Sequence, residues 1–202
     1  MTTKNTYHHG DLRNALLVGA TEMLAQEGVH GLSLRQVAKH IGVSHNAPYQ
    51  HFPDKETLIA AIAEQGFIRL GEAMDDAVAT VSAQDALSRL GAIGRVYVSF
   101  MLTYRHYFEV MFGQHPHKDY PTLSGASIKT FNQLVQVIID GQATEQIRAG
   151  DPQEMAGVIW VAIHGLSAVM IAQKMPPQIT GQENPLELVT TFVQLICDGI
   201  RV

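Results

Sequence analysis

The chain has 202 residues, enough for one large domain or for a small and a medium one. With 46% hydrophobic and 16% charged residues, it is too apolar for a disordered protein. The net charge of −5 argues mildly against a nucleic-acid partner, because such proteins usually carry a basic surface. Residues 1–66, however, contribute only −1 and hold six of the ten histidines. A local DNA-binding surface is therefore still compatible with this third of the chain.

The residues that carry chemistry in other protein classes are sparse here. A single cysteine, Cys197, excludes an internal disulfide and an all-cysteine metal site. No histidine pair has His-Glu-x-x-His spacing, and neither a Gly-x-Ser-x-Gly motif nor a Gly-rich phosphate loop is present. We therefore expect no metal site, no cofactor and no enzymatic activity. The first residues lack the apolar segment of a secretory signal, which predicts a cytoplasmic protein.

Four helices are predicted in the first third of the chain. The first carries an apolar face from Leu12 onward and is stopped by Gly28, and Ser33 with Gln36 forms a capping box before the second. Ser44 caps the third, which Pro53 follows. The predicted ranges of the second, third and fourth helices are about 34–41, 45–51 and 55–81.

The rest of the chain is also predicted to be helical. Prolines predict a loop over 115–121, and the pairs Asp151-Pro152 and Asn184-Pro185 have the form of helix starts. No alternating strand pattern or Asn-Gly hairpin signal is present. The sequence therefore predicts an all-α protein, with later helices over about 85–104, 106–113, 122–149, 152–172 and 185–200.

The second and third helices form a candidate helix-turn-helix. They are separated only by Gly42-Val43-Ser44, in which the glycine supplies the positive φ of a tight turn and Val43 can fill the angle between the helices. Ala38 is small enough for the helices to cross closely. A helical hairpin without a DNA-binding role remains open on this pattern alone.

The third helix is rich in hydrogen-bonding groups and has no Lys or Glu, unlike an ordinary solvated helix. Asn46 and Gln50 can pair with adenine and Ala47 can contact a thymine methyl group. Serine, histidine and tyrosine side chains suit phosphate oxygens. Lys55 stands at the start of the fourth helix, where a docked phosphate would meet both the ammonium and free backbone N–H groups. The alternative is a solvated lysine balanced by its acidic neighbours.

The segments Leu34-Arg-Gln-Val-Ala-Lys-His-Ile-Gly-Val-Ser44 and Pro48-Tyr-Gln-His-Phe-Pro-Asp-Lys55 closely resemble the N-terminal domain of TetR-family transcriptional regulators. The resemblance covers about residues 10–60. It implies a homodimer that binds a palindromic operator and releases it when a small molecule enters the C-terminal domain. It also implies phosphate contacts for Tyr49, His51 and Lys55, and leaves open which of His45, Asn46 and Gln50 reads bases. The predicted DNA-binding set is Arg35, Ser44, His45, Asn46, Ala47, Tyr49, Gln50, His51 and Lys55.

The segment Trp160-Val-Ala-Ile-His164-Gly165 resembles the Trp-His-Gly signature of a C-terminal domain found in some of these regulators. Trp160 and His164 share a helix face, where core packing is the plainer explanation and ligand contact the alternative. Aromatic and methionine residues nearby are also typical of a core, although this region of the family tends to line a pocket. The predicted ligand-binding set is Phe100, Tyr104, Phe108, Met111, Trp160 and His164.

Residues 155–172 carry no charge over a length that approaches a membrane span. They also contain two glycines and a histidine and lack a basic flank, so we favour burial on both sides in a dimer seam. The last helix is apolar enough to join it in a four-helix arrangement.

These observations predict a helix-turn-helix DNA-binding domain over 1–54 and a helical ligand-binding and dimerisation domain over 55–202. The predicted function is that of a sequence-specific transcriptional regulator, as a repressor, with a double-stranded DNA operator and a small hydrophobic effector as partners. Three alternatives remain: an effector-independent DNA-binding regulator, a helical ligand-binding or catalytic protein that uses the helix-turn-helix as scaffold, and a histidine-based metal sensor.

Overall fold

A computed structural model describes residues 9–113, 119–176, 178 and 185–202. Within these ranges the chain forms eight α-helices and one 3₁₀ helix, with a single isolated β-bridge and no strand. The predicted all-α class is therefore confirmed. The helices are α1 (His9–Gly31), α2 (Leu34–His40), the 3₁₀ helix (Ala47–Gln50), α3 (Lys55–Ala79), α4 (Ala86–Thr103), α5 (Arg105–Met111), α6 (Pro121–Ala143), α7 (Pro152–Ile171) and α8 (Pro185–Ile200).

The contacts divide the chain into two compact units. The first lies within 1–66 and 106–124, and the second comprises 67–105 and 125–202. The first unit thus contains the helix-turn-helix together with most of α5 and the first residues of α6. The predicted functional boundary between residues 54 and 55 remains a prediction.

The first unit is built around a close approach of α1 and α2. Ala38 is fully buried, and a Cβ added at Gly19 would collide with the side chain of Ile41. Ser33 caps α2, because its hydroxyl accepts the Gln36 N–H at 3.2 Å as the capping pattern predicts. The core of the helix-turn-helix is therefore fixed by small residues and a cap.

The second unit has α4 packed against both α7 and α8. Its glycine at position 94 permits this, since a Cβ there would lie 2.9 Å from Val193 and 3.2 Å from Ile163. One face of α7 is buried in this unit, including Ile159 and Leu166. Among the described residues α7 is long and apolar enough to cross a membrane, a property that a core helix shares.

Several predicted boundaries need correction. The first helix breaks at Gly28 (φ 70°) as expected, but one more turn follows to Gly31. The third predicted helix is a 3₁₀ turn over Ala47–Gln50, in which the His51 N–H donates to the Pro48 carbonyl three residues back, at 2.9 Å. The fourth ends at Ala79 rather than at Val81.

The largest correction concerns the predicted helix over 122–149. It begins at Pro121 and ends at Ala143, because Glu145 adopts a left-handed conformation (φ 56°). The following residues turn back, and Ile147 forms the isolated bridge with Arg201. Residues 115–118 of the predicted loop and Asn184 lie outside the described residues.

Candidate nucleic-acid interface

The turn between α2 and the 3₁₀ helix has the tight geometry that the sequence predicts. Gly42 has a φ of 74°, a region that a side chain disfavours. The Val43 N–H donates to the Ala38 carbonyl at 2.9 Å and closes the end of α2. This turn leads directly into residues 44–51, which we call the recognition segment.

The recognition segment is anchored by two apolar residues. Pro48 is buried, and Phe52, which directly follows the segment, is 1% exposed. Five polar side chains between and before them are exposed: Ser44, His45, Asn46, Tyr49 and Gln50. Ala47 and His51 are half-buried. The structure therefore brings the predicted DNA-binding side chains of this segment onto one accessible turn.

These exposed side chains contact no polar partner among the described residues. In the part of the chain that the structure describes, none of the five makes a side-chain hydrogen bond, and Tyr49 is 47% exposed. Arg35, in the first turn of α2, is also exposed and forms no ion pair there. Their donors and acceptors are available to base edges and phosphate oxygens.

Only part of the His51 ring is accessible to a ligand. Its Nε2 atom is buried without a hydrogen-bond partner among the described residues. A phosphate would therefore reach this side chain through Nδ1, a restriction that the sequence pattern does not reveal.

Lys55 has a partner that the sequence did not predict. Its Nζ donates to the carbonyl of Val29 at 2.7 Å, in the short turn that follows the break at Gly28. An ammonium has three N–H donors, so this bond leaves two for another acceptor. Asp54 precedes Lys55 and accepts the Thr57 N–H and hydroxyl, and these hydrogen bonds lower the pKa of its carboxyl group.

A second cluster of interest lies inside the second unit. The Tyr97 hydroxyl is 2.9 Å from His164 Nδ1, and the Trp160 ring stacks on the His164 ring with centroids 5.0 Å apart. Burial raises the pKa of the Tyr97 phenol above its usual range and lowers the pKa of His164. The predicted pair Trp160 and His164 is thus in contact, with Tyr97 as a third member that the sequence analysis missed.

The other predicted ligand-binding residues are distributed over both units. Phe100 is buried and contacts the exposed Tyr104 in the second unit, with ring centroids 4.9 Å apart. Phe108 and Met111 belong to the first unit, where Met111 is fully buried.

A groove of about 520 Å³ lies on the second unit, between the start of α7 and the end of α8. Its lining includes Arg148, Met155, Val158 and Leu195, and none of the predicted ligand-binding residues contributes to it. Among the described residues, no three His, Cys, Asp or Glu side chains cluster in a way that could hold a metal ion.

The fold agrees with comparisons to known proteins. Residues 16–62 match the model of bacterial regulatory proteins of the tetR family, and residues 90–192 match that of a tetracyclin repressor-like C-terminal domain. The chain belongs to the TetR family, whose members are DNA-binding transcription regulators and not enzymes.

Curated relatives match only in part. The transcriptional repressor AcnR of Corynebacterium diphtheriae is 35% identical over 60 residues, which are 30% of this chain and 32% of that protein. The regulator BetI of Yersinia pestis is 36% identical over 83 residues, 41% of this chain and 42% of that protein. The chain therefore matches less than half the length of these curated relatives.

Solved structures match along nearly the whole chain. A protein of unknown function from Rhodococcus sp. RHA1 is 33% identical, with a TM-score of 0.87 over 98% of this chain and 100% of that one. A TetR/AcrR-family regulator from Thermobifida fusca shares the fold, with a TM-score of 0.69 at 20% identity over 95% of this chain and all of that one.

Proposed function

We propose that this protein is a cytoplasmic transcriptional repressor that binds a palindromic operator as a homodimer and is released by a small hydrophobic effector. The observation that carries the proposal is the recognition segment, whose exposed polar side chains have no partner within the described chain. A surface of this kind exposes donors and acceptors without using them in the fold, as base and phosphate recognition requires.

Each predicted DNA-binding residue has a role in this proposal. His45, Asn46, Ala47 and Gln50 face base edges. The phosphate contacts are supplied by side chains around them: Arg35, Ser44, Tyr49, His51 and Lys55. The phosphate contacts fix the register of the protein on the duplex, and the residues that face bases determine the sequence preference.

The proposed dimer pairs α7 and α8 with their copies in the partner subunit. Three apolar side chains on these helices are largely exposed: Val158 (72%), Val161 (61%) and Leu195 (66%). Gly157 and Gly165 share this part of α7, and a Cβ at either would meet nothing within 4 Å. The exposed face is thus apolar and shallow enough for another helix to approach closely. Two subunits paired in this way would present two recognition segments to successive turns of a DNA duplex.

We also propose that the second unit is of the Trp-His-Gly type and senses the effector near Trp160 and His164. Their contact with Tyr97 joins α4 to α7 through a half-buried polar group. The remaining proposed effector contacts are Phe100, Tyr104, Phe108 and Met111. An effector weakens operator binding only to the extent that it binds the conformation that does not bind DNA more tightly than the one that does.

Selection of bound sequences from a random duplex library, followed by a salt titration of the best one, tests this function. We expect a palindrome whose affinity falls steeply with salt and falls further in Tyr49→Ala and Lys55→Ala. Lys129→Ala, which removes an exposed cation from α6, is the matched control and leaves binding unchanged.

The selected duplex then serves as the probe for effectors. Release by a hydrophobic compound is the expected result, whereas an affinity that no compound changes would indicate an effector-independent regulator. Weak binding without an enriched sequence, unchanged by either mutation, would contradict the regulator function altogether.

A further inference from the structure

Arg13 on α1 lies beside the recognition segment although it is remote in sequence. Its guanidinium carbon is 5.3 Å from the centroid of the Phe52 ring. The Phe52 N–H donates to the Pro48 carbonyl, so the backbone that carries the ring is tied to the 3₁₀ turn. Phe52 is 1% exposed, whereas Arg13 is exposed. The buried ring therefore holds an accessible cation next to the residues that present DNA-binding groups.

This cation has no acidic partner in the part of the chain that the structure describes. Among the described residues Arg13 forms neither a salt bridge nor a hydrogen bond, and its ring contact is its single polar interaction. Arg89 differs, since its guanidinium donates to Asp140 at 2.9 Å. A guanidinium over a ring face keeps its five N–H donors along its own edge, where they suit the oxygens of a phosphate.

We propose that Arg13 binds a DNA backbone phosphate and that the Phe52 ring positions it for this contact. The inference rests on the proposed operator binding and adds α1 to the DNA-binding surface. DNA is the ligand we favour over a free phosphate ion, because the guanidinium adjoins the segment that carries the base-facing side chains. A contact from α1 would fix the orientation of the whole helix-turn-helix on the duplex without adding sequence preference.

A salt titration of operator binding by Arg13→Gln tests the proposal. Each phosphate contact contributes about 0.9 to the slope of log affinity against log salt, so loss of one contact in each subunit of a dimer should reduce it by about 1.8. We expect affinity at 0.1 M salt to fall roughly tenfold or more. Arg13→Lys keeps the charge and should retain most of the slope, and Lys129→Gln is the charge-matched control that retains all of it.

The salt slope separates phosphate binding from a purely structural role. If the guanidinium serves only to cover Phe52, Arg13→Gln will lower the melting temperature while its salt slope equals that of the wild type. This result would overturn the proposal. A wild-type protein that binds no duplex in a salt-dependent way would overturn the proposed function as well. Normal wild-type binding with an unchanged slope in the variant would overturn only the role of Arg13.

A second measurement uses the wild-type protein, so its result does not depend on whether a variant folds. Phenylglyoxal modifies accessible arginines, and mass spectrometry reports the extent at each position. We expect the selected operator to protect Arg13, whereas the exposed Arg148 of the second unit should react equally with and without DNA. Equal modification of Arg13 in the two states would contradict the proposal.

Discussion

Lys55 combines a contact inside the protein with a position that suits a phosphate. Its bond to the Val29 carbonyl ties the start of α3 to the turn that follows Gly28. That carbonyl also accepts the Leu32 N–H, at 3.3 Å, so it keeps one weaker partner when the lysine is removed. The two functions of this side chain can be measured separately.

Lys55→Met should therefore lower both stability and operator affinity. We expect a loss of about 1 kcal/mol in the free energy of unfolding, because one hydrogen bond from a charged donor disappears. Urea unfolding measures this loss, and a filter-binding titration measures the affinity. Unchanged stability in the variant would show that the Val29 contact contributes nothing in solution.

Tyr49→Phe is the contrasting case. Its hydroxyl has no partner within the described chain and its side chain is 47% exposed, so the fold does not depend on it. We expect operator affinity to fall by about 1–3 kcal/mol per half-site through loss of a hydrogen bond to a charged phosphate, with the melting temperature unchanged. A lowered melting temperature together with full affinity would assign Tyr49 to the fold instead.

At the residue scale, the sequence predicts which side chains are exposed better than it predicts which groups they contact. The polar content of the recognition segment was sufficient to predict an accessible surface, and its five exposed residues agree with that expectation. The contact between Lys55 and Val29 was not predictable, because it joins residues 26 apart through a break whose direction depends on packing. The position of Arg13 over Phe52 was missed for the same reason.

Among the elements, the turn at Gly42 has the strictest requirement for a particular backbone conformation. Its φ of 74° is unfavourable for a residue with a Cβ, yet a Cβ there would meet nothing within 4 Å. Gly42→Ala should therefore lose about 1 kcal/mol through backbone strain alone, and Gly42→Asn should lose less, since asparagine tolerates this conformation. Urea unfolding of the two variants checks the order. Equal stability of wild type and Gly42→Ala would mean that the turn relaxes.

The contact between α4 and α7 predicts a pH dependence. Burial lowers the pKa of His164 below its unfolded value of about 6.5. As the pH falls through 6.5 toward the lower folded value, the unfolded chain binds a proton that the folded chain does not, so the free energy of unfolding decreases. His164→Gln should flatten the profile in this window, measured by urea unfolding between pH 5 and 8. His30→Gln, at an exposed site, is the control, and an identical profile in His164→Gln would contradict the burial of this histidine.

Helix identity was predictable where capping residues and periodicity agreed. Asp151-Pro152 begins α7, with Asp151 accepting two N–H groups, as the sequence predicted. The failures have local causes that side-chain type does not reveal. The recognition segment forms a 3₁₀ turn closed by the bond from the His51 N–H to the Pro48 carbonyl, and the early end of α6 follows from a glutamate in a left-handed conformation.

The molecule as a whole separates its charge and its apolar surface along the chain. Residues 1–66, which contain the helix-turn-helix, carry a net charge of only −1, and most of the excess acid lies later in the chain. The exposed apolar residues of α7 and α8 belong to the second unit. In the proposed function, DNA contact belongs to the first unit and self-association to the second, so each can be disrupted separately.

A charge on the exposed face of α7 tests self-association. Val161 is 61% exposed, so Val161→Glu should leave the fold of one subunit intact while placing a carboxylate in the proposed seam, where burial without a partner is costly. Ile128→Glu is the matched control, because Ile128 is 57% exposed on α6, outside the proposed seam. Sedimentation should give a monomer for Val161→Glu and a dimer for Ile128→Glu, with similar melting behaviour in dilute solution. Because two joined recognition segments gain affinity from simultaneous binding, the monomer should bind the palindromic operator far more weakly. A dimer that survives Val161→Glu would place the subunit interface on another face of the protein.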